Sequence, residues 1–545
     1  GDDLRLAGRG IDLRLADMTV KATSKITEGV VKDAIPGRSL ADGVLDLAVD
    51  LDGLSIKGEG KVNGVPMKLG WDEKFSGPGV RTRYTVSSVV DDAGRKALGL
   101  DFMPFQEPYI TGPMNADAVA TVDAKGAMTL DAKVDLAPAT MTIPGFGWRK
   151  EPGTAAAGTA TIRFLKGRMQ EIRQFNASGP DGLSVSGSAK AAPSGGLASL
   201  ALADIRFGDS RLSGGMDFPA DGSIDASLTA SFLDLRPLVH DGGWHELADD
   251  TEEEKAAKAE AKAQGRKPPQ PPPSTPMSLN LTAERARLSD DGTMTGLTTT
   301  LRRGADGKWI GTVNGNLPQG QTVVVVQRKG EARTVDVASA DAGALFRATG
   351  TTNSVRGGAM KLNALLPDDG PTSGKLRIDN FSVADAPILA QLVSVASLTG
   401  IADLLRGQGV SFWYLDAPFS KDGDTLTLAD VRAAGPSFGI TTAGTLNTDS
   451  DALGLKGTIV PFNLVNQVIT NIPVIGQILG GKDSGLFAMN YSIKGNLDEP
   501  QVSVNPLSAL VPGGVQKLFT VPDPPPPAQT APPEGAAPQQ QLQRN

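Results

Sequence analysis

The chain of 545 residues has no cysteine and only two histidines, and each shortage removes a class of chemistry. Without cysteine it has neither a disulfide framework nor a thiolate metal site, and thiol catalysis is excluded. The two histidines, His240 and His245, are separated by Gly242 and Gly243, which break any helix that would place both imidazoles on one face. We therefore expect no metal, no cofactor and no catalytic residue, and we interpret the protein as a non-enzyme.

The chain also lacks a large excess of either charge and lacks long apolar runs. Its net charge of -8 comes from interspersed acids and bases without a basic stripe, so we expect no nucleic-acid partner. No run of 18 or more apolar residues occurs, so nothing present here should cross a bilayer as a helix. Because the chain begins at Gly1 without a signal region, we expect a mature product or the C-terminal part of something longer.

Two short motifs meet a catalytic or nucleotide-binding spacing only formally. Residues 476–482 have the G-x-x-x-x-G-K spacing, but Asp483 stands where a metal-binding hydroxyl is needed and would repel phosphate. Residues 435–439 satisfy G-x-S-x-G, but a strand pattern follows Ser437 where a nucleophile elbow needs a helix. An enzyme acting on glycan would instead need a partly buried carboxylate pair, which the sequence leaves open.

What the sequence does contain is repeated alternation of apolar and polar residues, the period-2 pattern of a strand with one dry face. Together with 65 glycines and 38 prolines, it predicts a mainly β protein. We expect an elongated, curved antiparallel sheet with a few amphipathic helices. Three distant segments, 128–136, 223–232 and 487–493, alternate most clearly, and their candidate apolar residues are Leu130, Val134, Leu136, Ile224, Leu228, Phe232, Phe487, Met489, Tyr491 and Ile493.

The organisation along the chain follows from shifts in composition. We divide it into a β-repeat groove region (1–248), a charged and proline-rich insertion (249–276), a second β region (277–521) and a Pro/Gln-rich tail (522–545). Recurring strand-glycine-strand blocks suggest hairpins stacked along one axis. Helical spacing of apolar residues predicts amphipathic helices at 387–406 and 462–479, either as core helices that close a sheet or as lipid-facing segments.

The last third of the chain carries a family resemblance. Its elements are Gly457, Pro461, Asn466, the Ile-Pro-Val-Ile-Gly of residues 472–476, Leu479, Gly485, the strand at 491–495, and Pro500, Val502, Val504, Asn505, Pro506 and Leu507. This stretch resembles the end of the AsmA-like envelope proteins of the YhdP type. Residues 233–239 and 375–412 are similar to earlier parts of the same family, more loosely.

The resemblance implies a repeating β-groove whose apolar side shelters lipid tails. It implies a periplasmic protein, anchored in the inner membrane by a segment upstream of Gly1, that carries phospholipid between the inner and outer membranes. The expected partners are phospholipid acyl chains, the two membranes and other envelope proteins. The residues of the three alternating segments are then the expected lipid contacts. The alternative is a structural or assembly factor for outer-membrane biogenesis that carries no lipid.

Overall fold

The computed structural model describes residues 21–35, 38–100, 104–240, 274–395, 409–461, 489–497 and 499–505. The first sixteen strands are β1 (Lys21–Ile35), β2 (Arg38–Asp50), β3 (Gly53–Val62), β4 (Val65–Lys74), β5 (Val80–Val90), β6 (Ile110–Thr111), β7 (Met114–Asp123), β8 (Ala127–Asp135), β9 (Thr140–Ile143), β10 (Trp148–Lys150), β11 (Ala157–Leu165), β12 (Arg168–Ser178), β13 (Ser184–Ala191), β14 (Leu197–Phe207), β15 (Ser210–Asp217) and β16 (Ile224–Asp234).

The remaining strands are β17 (Met277–Arg287), β18 (Thr293–Arg303), β19 (Trp309–Leu317), β20 (Gly320–Lys329), β21 (Ala332–Ser339), β22 (Val355–Pro367), β23 (Thr372–Val383), β24 (Val410–Asp422), β25 (Thr425–Ala434), β26 (Phe438–Asn447), β27 (Ala452–Pro461), β28 (Met489–Asn496) and β29 (Pro500–Asn505). Four helices lie between strands in the described ranges, namely α1 (Asp92–Ala97), α2 (Arg236–Val239), α3 (Ala342–Ala348) and α4 (Pro387–Val395).

Within the described residues, one long sheet of 26 strands, which does not close on itself, contains all strands except β6, β9 and β10. The mainly β, elongated fold predicted from the sequence is confirmed. Strands that follow each other in this sheet pair as neighbours, as the hairpin-like repeats suggested. Tight turns close several hairpins: Asn63 and Gly64 between β3 and β4 both have positive φ, the conformation that matches the right-handed twist of paired strands.

The sheet is mixed, because β16 and β17 pair in parallel, with Ile224 opposite Met277. All other neighbouring strands pair antiparallel. The connection between β16 and β17 contains the charged, proline-rich insertion of the sequence, and the two strands on either side of it are neighbours in the sheet. Because of this single parallel pairing, β5, β21 and β23 point in the same direction, and the helices that follow them, α1, α3 and α4, all lie at the same border of the sheet.

The two long borders of the sheet therefore differ. At the helical rim, defined by α1, α3, α4 and the small β10-β9-β6 sheet, long connections fold back over the apolar face. At the opposite border, the turn rim, short turns such as residues 124–126, 304–308 and 330–331 join the strands. This asymmetry decides which part of the apolar face remains accessible.

Buried polar contacts hold the helical rim together near its N-terminal end. Arg95 in α1 is buried and donates hydrogen bonds to the carbonyls of Phe105 (2.9 Å) and Gly112 (2.7 Å). In the small sheet the buried Lys150 ammonium donates to the carbonyl of Ala139 at 2.6 Å, and burial lowers the pKa of Lys150. Because a buried cation is costly unless it is paired and hydrogen-bonded, these contacts specify how the connections fold back.

Candidate functional site

The most extensive feature of the sheet is an unbroken row of directly paired residues, here named the apolar line. It crosses 25 of the 26 strands, and each member is an apolar residue, an aromatic residue or a glycine. The residues in order are Leu47, Ile56, Trp71, Tyr84, Ala120, Leu130, Ile162, Ile172, Ala189, Leu200, Met216, Ala226, Leu279, Leu301, Gly311, Val326, Val335, Ala364, Gly374, Phe419, Leu428, Gly444, Leu455, Ile493 and Val502. Because paired residues point to the same side of a sheet, the row forms one continuous apolar surface.

Much of the apolar line is accessible. Trp71 and Tyr84 are each 36% exposed, and their ring centroids lie 5.7 Å apart. Leu130, Leu301 and Val326 are half-buried, although nothing in the described structure forms a second layer across the whole face. An apolar surface this long that stays partly exposed is unusual for a protein face that meets only water.

The opposite face of the same strands is polar. Glu171 pairs with Arg173 at 3.0 Å on this face, and Asp416 pairs with Lys375 at 2.9 Å. The hydroxyl of Thr161 donates to Asp131 at 2.7 Å across the β8–β11 pair. These exposed ion pairs and hydrogen bonds keep that face in water, so the two sides of the sheet present opposite chemistry.

At the helical rim the apolar face is covered by the protein itself. The α1 end and the small sheet enclose a cluster that includes Val62, Met114 and Leu136. The helix α4 covers the last strands, where Leu392 packs with Tyr491 and Ile493. The apolar line lies nearer the turn rim, and there it stays accessible. Its C-terminal end is covered by α4.

Four of the residues singled out from the sequence lie where the apolar face is partly open. Leu130 is a member of the apolar line, and Ile224 and Leu228 flank its member Ala226 in β16. Val134 lies nearer the helical rim, against the cluster around Leu136. All four predicted residues are half-buried, and the structure brings them to one side of the sheet.

Four others are packed by the protein's own side chains and do not line an open surface. Leu136, Met489, Tyr491 and Ile493 are 4%, 8%, 4% and 4% exposed. The Tyr491 hydroxyl donates to the carbonyl of Thr441 at 2.8 Å and lies 2.5 Å from the Thr442 hydroxyl. Burial raises the pKa of Tyr491 to about 12. The alternation at residues 489–493 is present, but α4 covers it.

Phe232 lies on the other side of the sheet from the residues with which it was grouped. The buried residues of β16 are Ala226, Ala230 and Leu233, and the last two are three positions apart, so the alternation changes phase before Phe232. The Phe232 ring instead lies beneath the guanidinium groups of Arg285 and Arg287, with 5.6 and 5.1 Å from Cζ to the ring centroid. The remaining residue, Phe487, lies outside the described residues.

Sequence reasoning overlooked the middle of the apolar line, in strands β17 to β25. Leu297, Thr299 and Leu301 in β18 alternate with other threonines and would have signalled it. In β20 four consecutive valines, 323–326, hide the alternation, because both faces then carry the same residue. Only strand pairing shows that Val326, opposite Val335, belongs to the line.

The other motifs hold no recognisable site. The Nε2 atom of His240 lies 2.7 Å from the carbonyl oxygen of Leu288, while His245 and residues 476–483 lie outside the described ranges. Ser437 lies in the turn between β25 and β26, so a strand follows it. Among the described residues, no group of three or more His, Asp or Glu side chains could hold a metal ion. No described helix has the length and apolarity to span a membrane.

Comparison with protein-family models, curated proteins and solved structures finds no match to this chain. The feature to be explained is a continuous apolar row on one face, water-compatible chemistry on the other, and a cover at one border only.

Proposed function

We propose that this protein carries phospholipid, without catalysis, by sheltering acyl chains along the apolar line. The single observation that supports this proposal is the register itself, which joins apolar residues or glycine on 25 successive strands. At about 4.8 Å between neighbouring strands, a line across 25 strands is about 115 Å long when measured along the sheet. That is several times the length of an acyl chain, which suits passage along the sheet better than storage of one molecule.

The energetic reason is the cost of exposing lipid tails to water. A diacyl lipid with about 30 methylenes, at about 0.8 kcal/mol each, would cost about 24 kcal/mol to expose. A continuous apolar surface removes most of that cost at every step. Leu130, Leu228 and Val326 make only nonspecific apolar contacts, which suits such a role. A conduit must bind the lipid weakly at each position, so that the lipid can move on.

The proposal includes the setting that the family resemblance implies. The protein would lie in the periplasm of a two-membrane envelope, held at the inner membrane by a segment outside this chain, and would exchange lipid with both membranes. The opposite polar face, with ion pairs such as Glu171 with Arg173, is suited to an aqueous compartment.

Site-specific photo-crosslinking tests the proposal with matched neighbours as controls. A photoreactive side chain replaces Leu130 or Leu228 on the apolar face. In the controls it replaces Asp131 or Ser227 on the polar face. The full chain is expressed in a bacterial host that has a two-membrane envelope. We expect phospholipid adducts at Leu130 and Leu228 and none at Asp131 and Ser227. Equal labelling of both faces, or no lipid at either leucine, rejects the conduit.

A second candidate function is a lipid-free assembly factor that docks through its sheet edges. The observation in its favour is that the sheet is open, so β1 and β29 each pair with only one neighbour among the described strands. Unpaired strand edges can accept a strand from another chain. Purification without detergent separates the candidates, because a conduit retains phospholipid and a docking scaffold does not.

A further inference from the structure

The turn rim carries a group of positive charges beside the middle of the apolar line. Here the basic row denotes Arg303 in β18, Arg328 in β20 and Arg333 in β21. Each lies two residues from a member of the apolar line, on the side of the turn rim: Arg303 and Arg328 follow Leu301 and Val326, and Arg333 precedes Val335. Because side chains two residues apart in a strand share a face, the three arginines lie on the apolar side, about 7 Å from the line.

Pairing places two of these cations directly against each other. Arg328 and Arg333 are register partners across β20 and β21. Like charges directly opposite each other in a sheet are destabilising, so a nearby anion is needed to offset them. Asp368 does this for Arg328, to which it is hydrogen-bonded at 3.1 and 2.5 Å, and it also pairs with Lys308. The Lys308 hydrogen bond lowers the pKa of Asp368, so that carboxylate is ionised at neutral pH.

The other two arginines have no such partner. Arg303 and Arg333 form no ion pair with any residue that the structure describes, and their Nε atoms are buried without a hydrogen-bond acceptor among those residues. Arg303 is held by the ring of Trp309, 5.4 Å from its Cζ, and by a 3.1 Å hydrogen bond to the Thr275 carbonyl. A buried donor without an acceptor is costly, and natural proteins rarely keep one without a reason.

The charge balance of this region is positive. Arg303, Lys308, Arg328 and Arg333 supply four positive charges, while Asp306 and Asp368 supply two negative charges that are used by Arg328 and Lys308. Glu331 and Asp369 lie at the exposed tips of neighbouring turns and pair with neither Arg303 nor Arg333 in the described structure. Two guanidinium groups are thus left on the apolar side of the sheet, where a planar fork of donors suits phosphate.

We propose that the basic row binds the phosphate of an anionic phospholipid whose acyl chains lie on the apolar line. The inference rests on the proposed function and adds to it the residues that hold the headgroup and the negative charge of that headgroup. Arg303 and Arg333 would each donate to phosphate oxygens, and the tails would lie over Leu301, Val326 and Val335. Nothing comparable is needed for an uncharged lipid, so the row selects for a phosphate-bearing headgroup.

The test compares two lipids with the same acyl chains. The full chain is equilibrated with vesicles of a phosphate-free glycolipid, digalactosyldiacylglycerol, that contain either labelled phosphatidylglycerol or labelled diacylglycerol. It is then separated from the vesicles by flotation, and the label bound to protein is measured. The variant is R303Q/R333Q, which removes both charges and keeps polar side chains. The matched control is R163Q/R173Q, two exposed arginines of the polar face.

We expect R303Q/R333Q to lose about tenfold in bound phosphatidylglycerol and to keep its diacylglycerol, since the loss of charge-assisted hydrogen bonds has about that effect. The R163Q/R173Q control should bind both lipids like the unmodified chain. Retained diacylglycerol also shows that the variant is folded. If the variant loses both lipids equally, or neither, the headgroup inference is overturned and the conduit stands.

Two further outcomes are distinct. If the unmodified chain binds neither lipid, both the conduit and the headgroup inference are rejected. If inorganic phosphate binds at millimolar concentration through Arg303 and Arg333 without lipid, and phosphatidylglycerol gains nothing over diacylglycerol, the site serves a free anion and the inference is overturned.

Discussion

Leu392 of α4 and Tyr491 of β28 are packed in one cluster, although almost a hundred residues separate them in the chain. They are 1% and 4% exposed, and their neighbours include Ile493 and Leu453. This contact covers the last part of the apolar line, where Ile493 and Val502 lie in or against the same cluster. The end of the line is thus core, whereas middle members such as Leu301 and Val326 stay half-buried.

Shortening Leu392 tests this cover. Leu392→Ala removes buried methyl groups and leaves a cavity, which typically costs about 2–4 kcal/mol. Because stacked repeats contact mainly their neighbours, the loss should be local. We expect faster native-state hydrogen exchange in β27 to β29 and unchanged exchange in β8 and β11. The exposed neighbour Gln391→Ala is the control and should alter neither region.

Glycine at position 311 of the apolar line is required by the close approach of two strands. Its φ is +138°, and a Cβ there would lie 2.0 Å from the carbonyl oxygen of Thr300. Gly311→Ala should therefore destabilise the β18–β19 pair by about 2–3 kcal/mol, measured as the local free energy of opening by hydrogen exchange. Gly454→Ala is the matched control, because its Cβ would meet nothing within 4 Å and should change stability by less than about 0.5 kcal/mol. Equal effects at the two glycines would contradict the close approach.

The raised pKa of Tyr491 predicts how the free energy of unfolding changes at alkaline pH. Its folded-state pKa of about 12 exceeds the ordinary value of 10.0, so the folded protein holds the phenolic proton more tightly than the unfolded chain does. The resulting stability is fully present below pH 10 and is lost as pH rises through 10 towards 12, amounting to about 3 kcal/mol for two pKa units.

Tyr491→Phe removes this dependence, and it costs about 1 kcal/mol at neutral pH through the lost hydrogen bonds. The unmodified chain should therefore have the higher urea midpoint at pH 9, and this difference should vanish near pH 11 and reverse at higher pH, while the midpoint of the variant lacks this contribution. The absorbance of tyrosinate gives an independent measurement, because the chain has only four tyrosines. If the ionisation missing from the variant occurs near pH 10, Tyr491 is not buried in solution as described.

The predictive power of the sequence differed from segment to segment. At Leu130 and Leu228 the alternation identified the correct face, because each side chain's direction follows from strand geometry alone. At Phe232 the same rule failed, since an irregularity shared with β17 shifts the phase after Ala230. At Tyr491 the face was identified correctly, but its cover by α4 was not visible, because the helix and the strand are distant in the chain. The basic row escaped notice because no sequence pattern links Arg303 to Arg333.

The sequence by itself determined that this protein is mainly β and that many of its strands have one dry side, since that alternation is a local property of the backbone. Only the tertiary structure decided that the dry sides align into one line, that α4 covers one end of it, and that Arg328 faces Arg333 beside it. The physical reason is that register, strand direction and cover depend on pairings between distant residues, and a shift of one residue moves a side chain to the other face.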